Sequence, residues 1–177
     1  VAAQVLLADA ALVAEAEAAE LSGDARSAEE QTNSGLAHAE VVEAGTLAFT
    51  AQPAQPGTHA LWLRMKLSEG ASTRLTVRVD GEEREVRALG MIGFSDWTSP
   101  TNAATKIFAH YGEMHGHWLW WRLPEIDLPA GEHRVEIVAG AGQSFDTVAL
   151  LPQTQEVDRA AMNLLHTWNF APWLLPM

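Results

Sequence analysis

Residues 118–152 read WLWWRLPEIDLPAGEHRVEIVAGAGQSFDTVALLP, and this stretch decides the fold. A short apolar run, Trp118–Leu123, is followed by a Pro-Ala-Gly-Glu turn at 129–132. An alternating segment comes next, with Val135 and Ile137 on one face, then a glycine turn and a final apolar run to Pro152. Period two with Gly/Pro punctuation is the pattern of antiparallel strands rather than helices. One residue breaks the last run. Asp146 sits between Phe145 and Val148-Ala149-Leu150-Leu151, where a carboxylate is costly unless something pairs with it.

Working outward, THALWLRMKL (58–67) places Leu61, Leu63, Met65 and Leu67 on one face and Trp62, Arg64 and Lys66 on the other. TRLTVRVDGEEREVRAL (73–89) puts Leu75, Val77 and Val79 inward. Asp80-Gly81 then predicts a hairpin, because glycine supplies positive φ at little steric cost. Several short strands between Gly/Pro turns predict an all-β antiparallel sandwich of jelly-roll type or a barrel. Residues 4–21 support two readings. Their alanines, leucines and glutamates favour a helix, whereas Leu12-Val13-Ala14-Glu15-Ala16-Glu17 also alternates and would put both glutamates on one strand face. Residues 22–44 read as loop with one short strand, and 90–116 as a long irregular insert of the kind that often carries function. The expected organisation is an N-terminal extension (1–11), a sandwich domain (12–152) and a tail (153–177) with a short helix capped by Asp158 or an extended apolar segment.

Composition narrows the function. Apolar residues make up 47% and charged residues 19%, which suits a globular domain. The net charge of −12 is concentrated early: among the first 60 residues, nine acids face only Arg26. Such a field repels phosphate backbones, so nucleic acid is an unfavoured partner. It suits a hard cation and an extracellular life. With no cysteine, thiolate zinc sites, disulfides and cysteine nucleophiles are excluded. No run approaches the ~20 apolar residues of a membrane span. The chain starts at Val1, which reads as a processed product or a piece of a longer protein.

Glu15, Glu17 and Asp146, from distant points of the chain, form the oxygen-only ligand set that calcium takes. The plainer alternative is a pair of solvated glutamates and a turn-capping aspartate. The order EAEAAEL, THALWLRMKL, TRLTVRVDG, WLWWRL, IDLPAGEHRVEIV and FDTVALLP resembles a non-catalytic carbohydrate-binding module of the galactose-binding-like jelly-roll type, over about residues 12–152. That resemblance implies a structural Ca²⁺ held by Glu15, Glu17 and Asp146, a strand rather than a helix at 12–20, and a secreted or cell-surface location. The insert is longer than a compact member of that type carries.

Seven tryptophans accompany one tyrosine. Sugars stack their C–H faces on flat rings while nearby polar groups take the hydroxyls. Asp96, Trp97, Asn102, Tyr111, His115, His117 and Trp118 therefore form the candidate glycan-contacting set, with Trp120 assigned to the core. His110, Glu113, His115 and His117 also suggest a transition-metal site, but their spacing matches no zinc signature. No nucleophile elbow, phosphate loop or zinc-protease motif occurs, and an Asp96/Glu113 glycosidase pair has nothing to mark it out. The expectation is a poly- or oligosaccharide binder, not an enzyme. The alternative is a structural subunit of an extracellular assembly, joined through residues 158–177, where Trp168, Phe170, Trp173, Leu174, Leu175 and Met177 need cover.

Overall fold

The structure is a computed structural model that describes residues 9–30, 33, 36–87, 92–95, 106–107, 116 and 118–153. Its strands are β1 (Leu12–Glu15), β2 (Glu20–Glu29), β3 (Ala37–Ala51), β4 (Gly57–Leu67), β5 (Arg74–Val79), β6 (Glu82–Arg87), β7 (Ile92–Ser95), β8 (Lys106–Ile107), β9 (Leu119–Arg122), β10 (Ile126–Leu128), β11 (His133–Gly140) and β12 (Gln143–Pro152). All pairings are antiparallel, in the order β6-β5-β11-β3-β12-β4-β9-β7-β8. β1 adds to β12, β10 to β4 and β2 to β3. The sheet curls over on itself into a β-sandwich, the fold the alternation predicts.

The curl has a local cause. β3 pairs with Gly140–His133 of β11 and then, in the same register, with Ser144 and Phe145 of β12. The glycine turn at 140–142 is therefore a corner between layers and does not fold β12 back against β11. Gly142 has φ 76° and donates its N–H to the Val41 carbonyl. At the same corner β2 carries a bulge between Gly23 and Ala25, where a Cβ on Gly45 would lie 2.6 Å from the Ala25 backbone nitrogen. Small residues let three strands bend together here.

The main core lies between the layers. Leu61, Leu63, Met65 and Leu67 of β4 meet Leu75 and Val77 of β5, Val135 and Ile137 of β11, and Phe145, Val148 and Leu150 of β12. The second face of β4 is also covered near its start, where Ala60, Trp62, Trp120, Ala149 and Leu151 form a separate buried cluster with Ala10 and Val13 against it. Trp121 joins the main core and Trp120 the second cluster, so the Trp118–Trp121 run serves both faces.

Three sequence expectations are corrected. Residues 22–44 are mostly β2 and β3. Their polar composition hid a ten-residue strand in which no position is fully buried. The 90–116 insert contains β7 and β8, with β7 paired to β9. The alternation through Glu17 stops at Glu15; residues 16–18 form a single 3₁₀ turn that buries Ala16 in the main core. The 154–177 segment, with its Asp158-capped helix, lies outside the described residues.

At the β5–β6 hairpin, Asp80 (φ 49°) and Gly81 (φ 88°) take the left-handed conformation of a two-residue turn. His133 donates from Nδ1 to Asp80 Oδ2 (2.7 Å) and from Nε2 to the Pro129 carbonyl (2.8 Å), while Asp80 Oδ1 accepts the Arg134 N–H (2.9 Å). Two acceptors around one imidazole favour its cation. Asp80 and then the Pro129 carbonyl hold His133 above 6.5, and His133 and then the Arg134 N–H hold Asp80 below 3.8. The His133 contribution is complete below pH 6.5 and is lost as pH rises through its elevated value. The Asp80 contribution is complete above 3.8 and is lost as pH falls through its depressed value. His133→Asn should therefore lower the Tm most near about pH 5, with the deficit shrinking toward about pH 9. An equal deficit at both pH values would show that no charged brace exists.

Candidate functional site

The site grows from the broken apolar run. β12 pairs with β4 along its length except at Asp146, where the register shifts between Phe145 and Thr147. The bulge puts Asp146 and Thr147 together opposite Arg64, so Phe145 and Val148 both keep their side chains in the main core. Asp146 is fully buried, and Arg64 Nη1 donates to its Oδ2 at 2.6 Å. The charge that the sequence left needing a partner is thus met by an arginine on the face of β4 opposite Leu61, Leu63 and Met65.

Arg64 organises more than one contact. Nη1 also donates to Asn33 Oδ1 (3.2 Å), and the guanidinium lies 5.2 Å from the Trp118 ring centroid. Asn33, in the connection between β2 and β3, is buried and bonds His38 Nδ1 through its Nδ2 (3.1 Å). His38 meets Trp118 edge-on at 5.3 Å. Burial holds its imidazole below the ordinary 6.5, against the opposing pull of Glu30. Lys66 Nζ lies 4.8 Å from the Trp118 ring and donates to Glu30 Oε2 (2.9 Å), while Trp118 Nε1 donates to Glu30 Oε1 (3.1 Å). Two cations beside one indole, closed by a carboxylate that takes both an ammonium and the indole N–H, fix the ring's orientation.

The early glutamates lie beside this cluster. Glu15 pairs with Thr147, directly after Asp146. Burial pushes the Glu17 carboxyl up to about 7, its own backbone N–H opposes the rise, and the charges of Glu15 and Asp146 add to it. Glu17 Oε2 is buried and accepts no hydrogen bond. Among the described residues, no set of three acidic or histidine side chains stands arranged to hold a metal ion. The donor chemistry of the trio nevertheless fits a hard cation: oxygens only, mutually repelling, with the buried Glu17 Oε2 accepting no hydrogen bond.

Of the sequence-predicted glycan-contacting residues, Trp118 is described, and it is almost wholly buried within the Arg64–Lys66–His38 cluster. Asp96, Trp97, Asn102, Tyr111, His115 and His117 lie outside the described residues, as do His110 and Glu113. Gly116 returns to the sandwich by donating its N–H to the Leu67 carbonyl at 2.7 Å. Sequence reasoning missed Glu30, Asn33, His38 and the role of Arg64. The readable signal was a cationic pair, Arg64 and Lys66, on a strand facing an acid in an otherwise apolar partner.

No family model and no curated protein matches the sequence. Solved structures do share its shape. The carbohydrate binding module CBM6cm-2 from Cellvibrio mixtus lichenase 5A, solved in complex with cellotriose, is 13% identical with a TM-score of 0.55, over 81% of this chain and 98% of that one. A GH26-CBM35 β-(1,4)-mannanase from Podospora anserina is 16% identical with a TM-score of 0.59, over 84% of this chain. An exo-β-1,3-galactanase from Phanerochaete chrysosporium is 15% identical with a TM-score of 0.55, over 80% of this chain. The present chain spans 29% of the length of each of those two enzymes, whereas it spans nearly all of the binding module. At these identities the likeness establishes a shared β-sandwich fold. No described helix is long and apolar enough to cross a membrane.

Removing Arg64 while keeping Asp146 strands a charge in the interior, which typically costs about 3–5 kcal/mol. Arg64→Met should lose that much in urea denaturation, and adding Asp146→Asn should recover a good part of it. A loss below about 1 kcal/mol would mean that the pair does not hold the sheet.

Proposed function

We propose that this chain is a non-catalytic carbohydrate-binding module of the galactose-binding-like jelly-roll type, secreted or displayed at a cell surface and stabilised by calcium. The observation that carries the reading is the near-complete overlap with a module solved on a cello-oligosaccharide, where the larger enzymes overlap only in part. The sequence adds a long insert rich in the residue types that stack on and hydrogen-bond to sugars, running between β7 and the Trp118 cluster. Asp96, Trp97, Asn102, Tyr111, His115 and His117 are the proposed contacts, with Trp118 anchoring the end of the insert. In affinity electrophoresis against β-glucans, mannans and galactans, at least one polymer should retard the protein. Trp97→Ala should abolish the retardation and leave the Tm within about 2 °C. Retardation by none of the three would overturn the reading, and unchanged retardation of Trp97→Ala would overturn that contact.

The calcium part rests on Glu15, Glu17 and Asp146. A bound Ca²⁺ would supply positive charge to a cluster in which Glu17 now resists ionisation, and would tie β1 and the 3₁₀ turn to β12. Chelation should lower the Tm by several degrees and calcium should restore it, because a ligand that binds only the native state stabilises by mass action. Glu17→Gln should remove the response. Without the cation, a carboxyl whose folded value is raised from 4.5 to about 7 contributes stability below 4.5 that is lost as pH rises through 7. Chelated Glu17→Gln should therefore be more stable than the chelated wild type at about pH 8, by at most about 2 kcal/mol once solvent screening of a half-buried group is allowed for. A calcium-insensitive melt would remove this part and leave sugar binding standing.

A further inference from the structure

Asp80-Gly81 is the only Asp-Gly or Asn-Gly pair in the sequence, and it forms the tip of the β5–β6 hairpin. Solvent reaches it: the Asp80 side chain is 53% exposed, whereas that of His133 beside it is 9% exposed. An acid followed by glycine is open to an intramolecular reaction. No Cβ shields the peptide bond, so the Gly81 nitrogen can be approached by the Asp80 side-chain carboxyl. The turn itself demands that glycine. Gly81 has φ 88°, and a Cβ built on it would meet nothing within 4 Å, so conformation rather than crowding selects the residue. What lets the chain reverse also leaves Asp80 open to attack.

The chemistry has defined requirements. A bond forms between Gly81 N and Asp80 Cγ while the nitrogen gives up its proton. One oxygen of the protonated Asp80 carboxyl departs as water, and a five-membered succinimide closes. Water then opens the ring. Its addition at the Asp80 main-chain carbonyl carbon breaks that carbon's bond to Gly81 N and leaves the chain running through Cγ, as isoaspartate. The water released in the first step is matched by the water consumed in the second.

The folded hairpin opposes the first step. Asp80 Oδ2 accepts from His133 Nδ1 (2.7 Å) and Oδ1 from the Arg134 N–H (2.9 Å), so whichever oxygen leaves must first lose a hydrogen bond. The backbone is held too, because Asp80 donates its own N–H to the Arg134 carbonyl (2.9 Å). His133 is fixed from its other side by the Pro129 carbonyl (2.8 Å). His133 and then the Arg134 N–H hold the Asp80 carboxyl below its ordinary value, in the ionised form that cannot release water.

We propose that Asp80 is a site of spontaneous isoaspartate formation in this chain, and that His133 with the Arg134 amide is the clasp that blocks it in the folded protein. Isoaspartate would add a main-chain carbon to a two-residue turn and upset the Val79–Glu82 pairing that closes the hairpin. Neither sugar nor calcium enters this chemistry.

The full chain, native or in guanidinium chloride, is kept for weeks at about pH 5, where an unfolded aspartate still carries some proton. Trypsin then releases residues 79–84, VDGEER, whose isoaspartyl form separates chromatographically at unchanged mass. Isoaspartate should build up at position 80 in denaturant and be suppressed in the native wild type. His133→Leu, verified as folded by its unfolding transition, should raise the native rate about tenfold, the weight of one hydrogen bond to a charged group. Val148→Ala weakens the core on β12, away from the hairpin, and should leave the native rate near that of the wild type. No isoaspartate at position 80 in denaturant overturns the site. A native wild type as fast as the denatured chain, or an unchanged rate in His133→Leu, overturns the clasp. An equal rise in Val148→Ala also overturns it, since global opening would then be the cause.

Discussion

The buried contact between Arg64 and Asp146 is the constraint around which the rest of this molecule is arranged. Two charges withdrawn from water need close geometry and further hydrogen bonds to be tolerated. Here the guanidinium finds both, reaching Asp146 at 2.6 Å and Asn33 at 3.2 Å. Meeting that need ties β12 to β4 across a bulge, brings Asn33 of the β2–β3 connection to the second face of the sheet, and sets Trp118 beside two cations. An aspartate that reads as a flaw in an apolar strand is the point where three separate segments are made to agree.

The second face of β4 is consequently divided. Toward its start it is greasy, with Ala60 and Trp62 against Trp120, Ala149 and Leu151. Toward its end it is ionic, with Arg64 and Lys66 against Asp146, Glu30 and His38. A sheet buried on both faces ordinarily needs a continuous apolar strand. This one manages with alternating sequence because its outward charges are matched by others on the neighbouring segments. The carboxyls of Glu15 and Glu17 stand at the border of the ionic half, where added positive charge would have the most to neutralise.

Much of the architecture was legible because period two survives wherever one face is apolar. β4, β5, β11 and the Asp80-Gly81 hairpin all carry that pattern or the turn chemistry that ends it. β2 was not legible. Its residues ELSGDARSAE offer few apolar side chains, and what holds them is backbone pairing to β3 rather than burial. The corner at 140–142 reads locally as a reversal; only the unbroken register along β3 reveals a change of layer. For the candidate site, the acid trio was visible as a chemical type, but the arginine that serves Asp146 was hidden among exposed-looking alternating positions. Nothing local in Asn33 or His38 signals that they will join the Arg64 cluster.

The fifteen residues of β3 are hydrogen-bonded first into one layer and then into the other. Neither half of the sandwich can come away whole without β3 giving up its pairing in both layers, so the two layers should unfold together. A domain wired in this manner should give way in a single rupture.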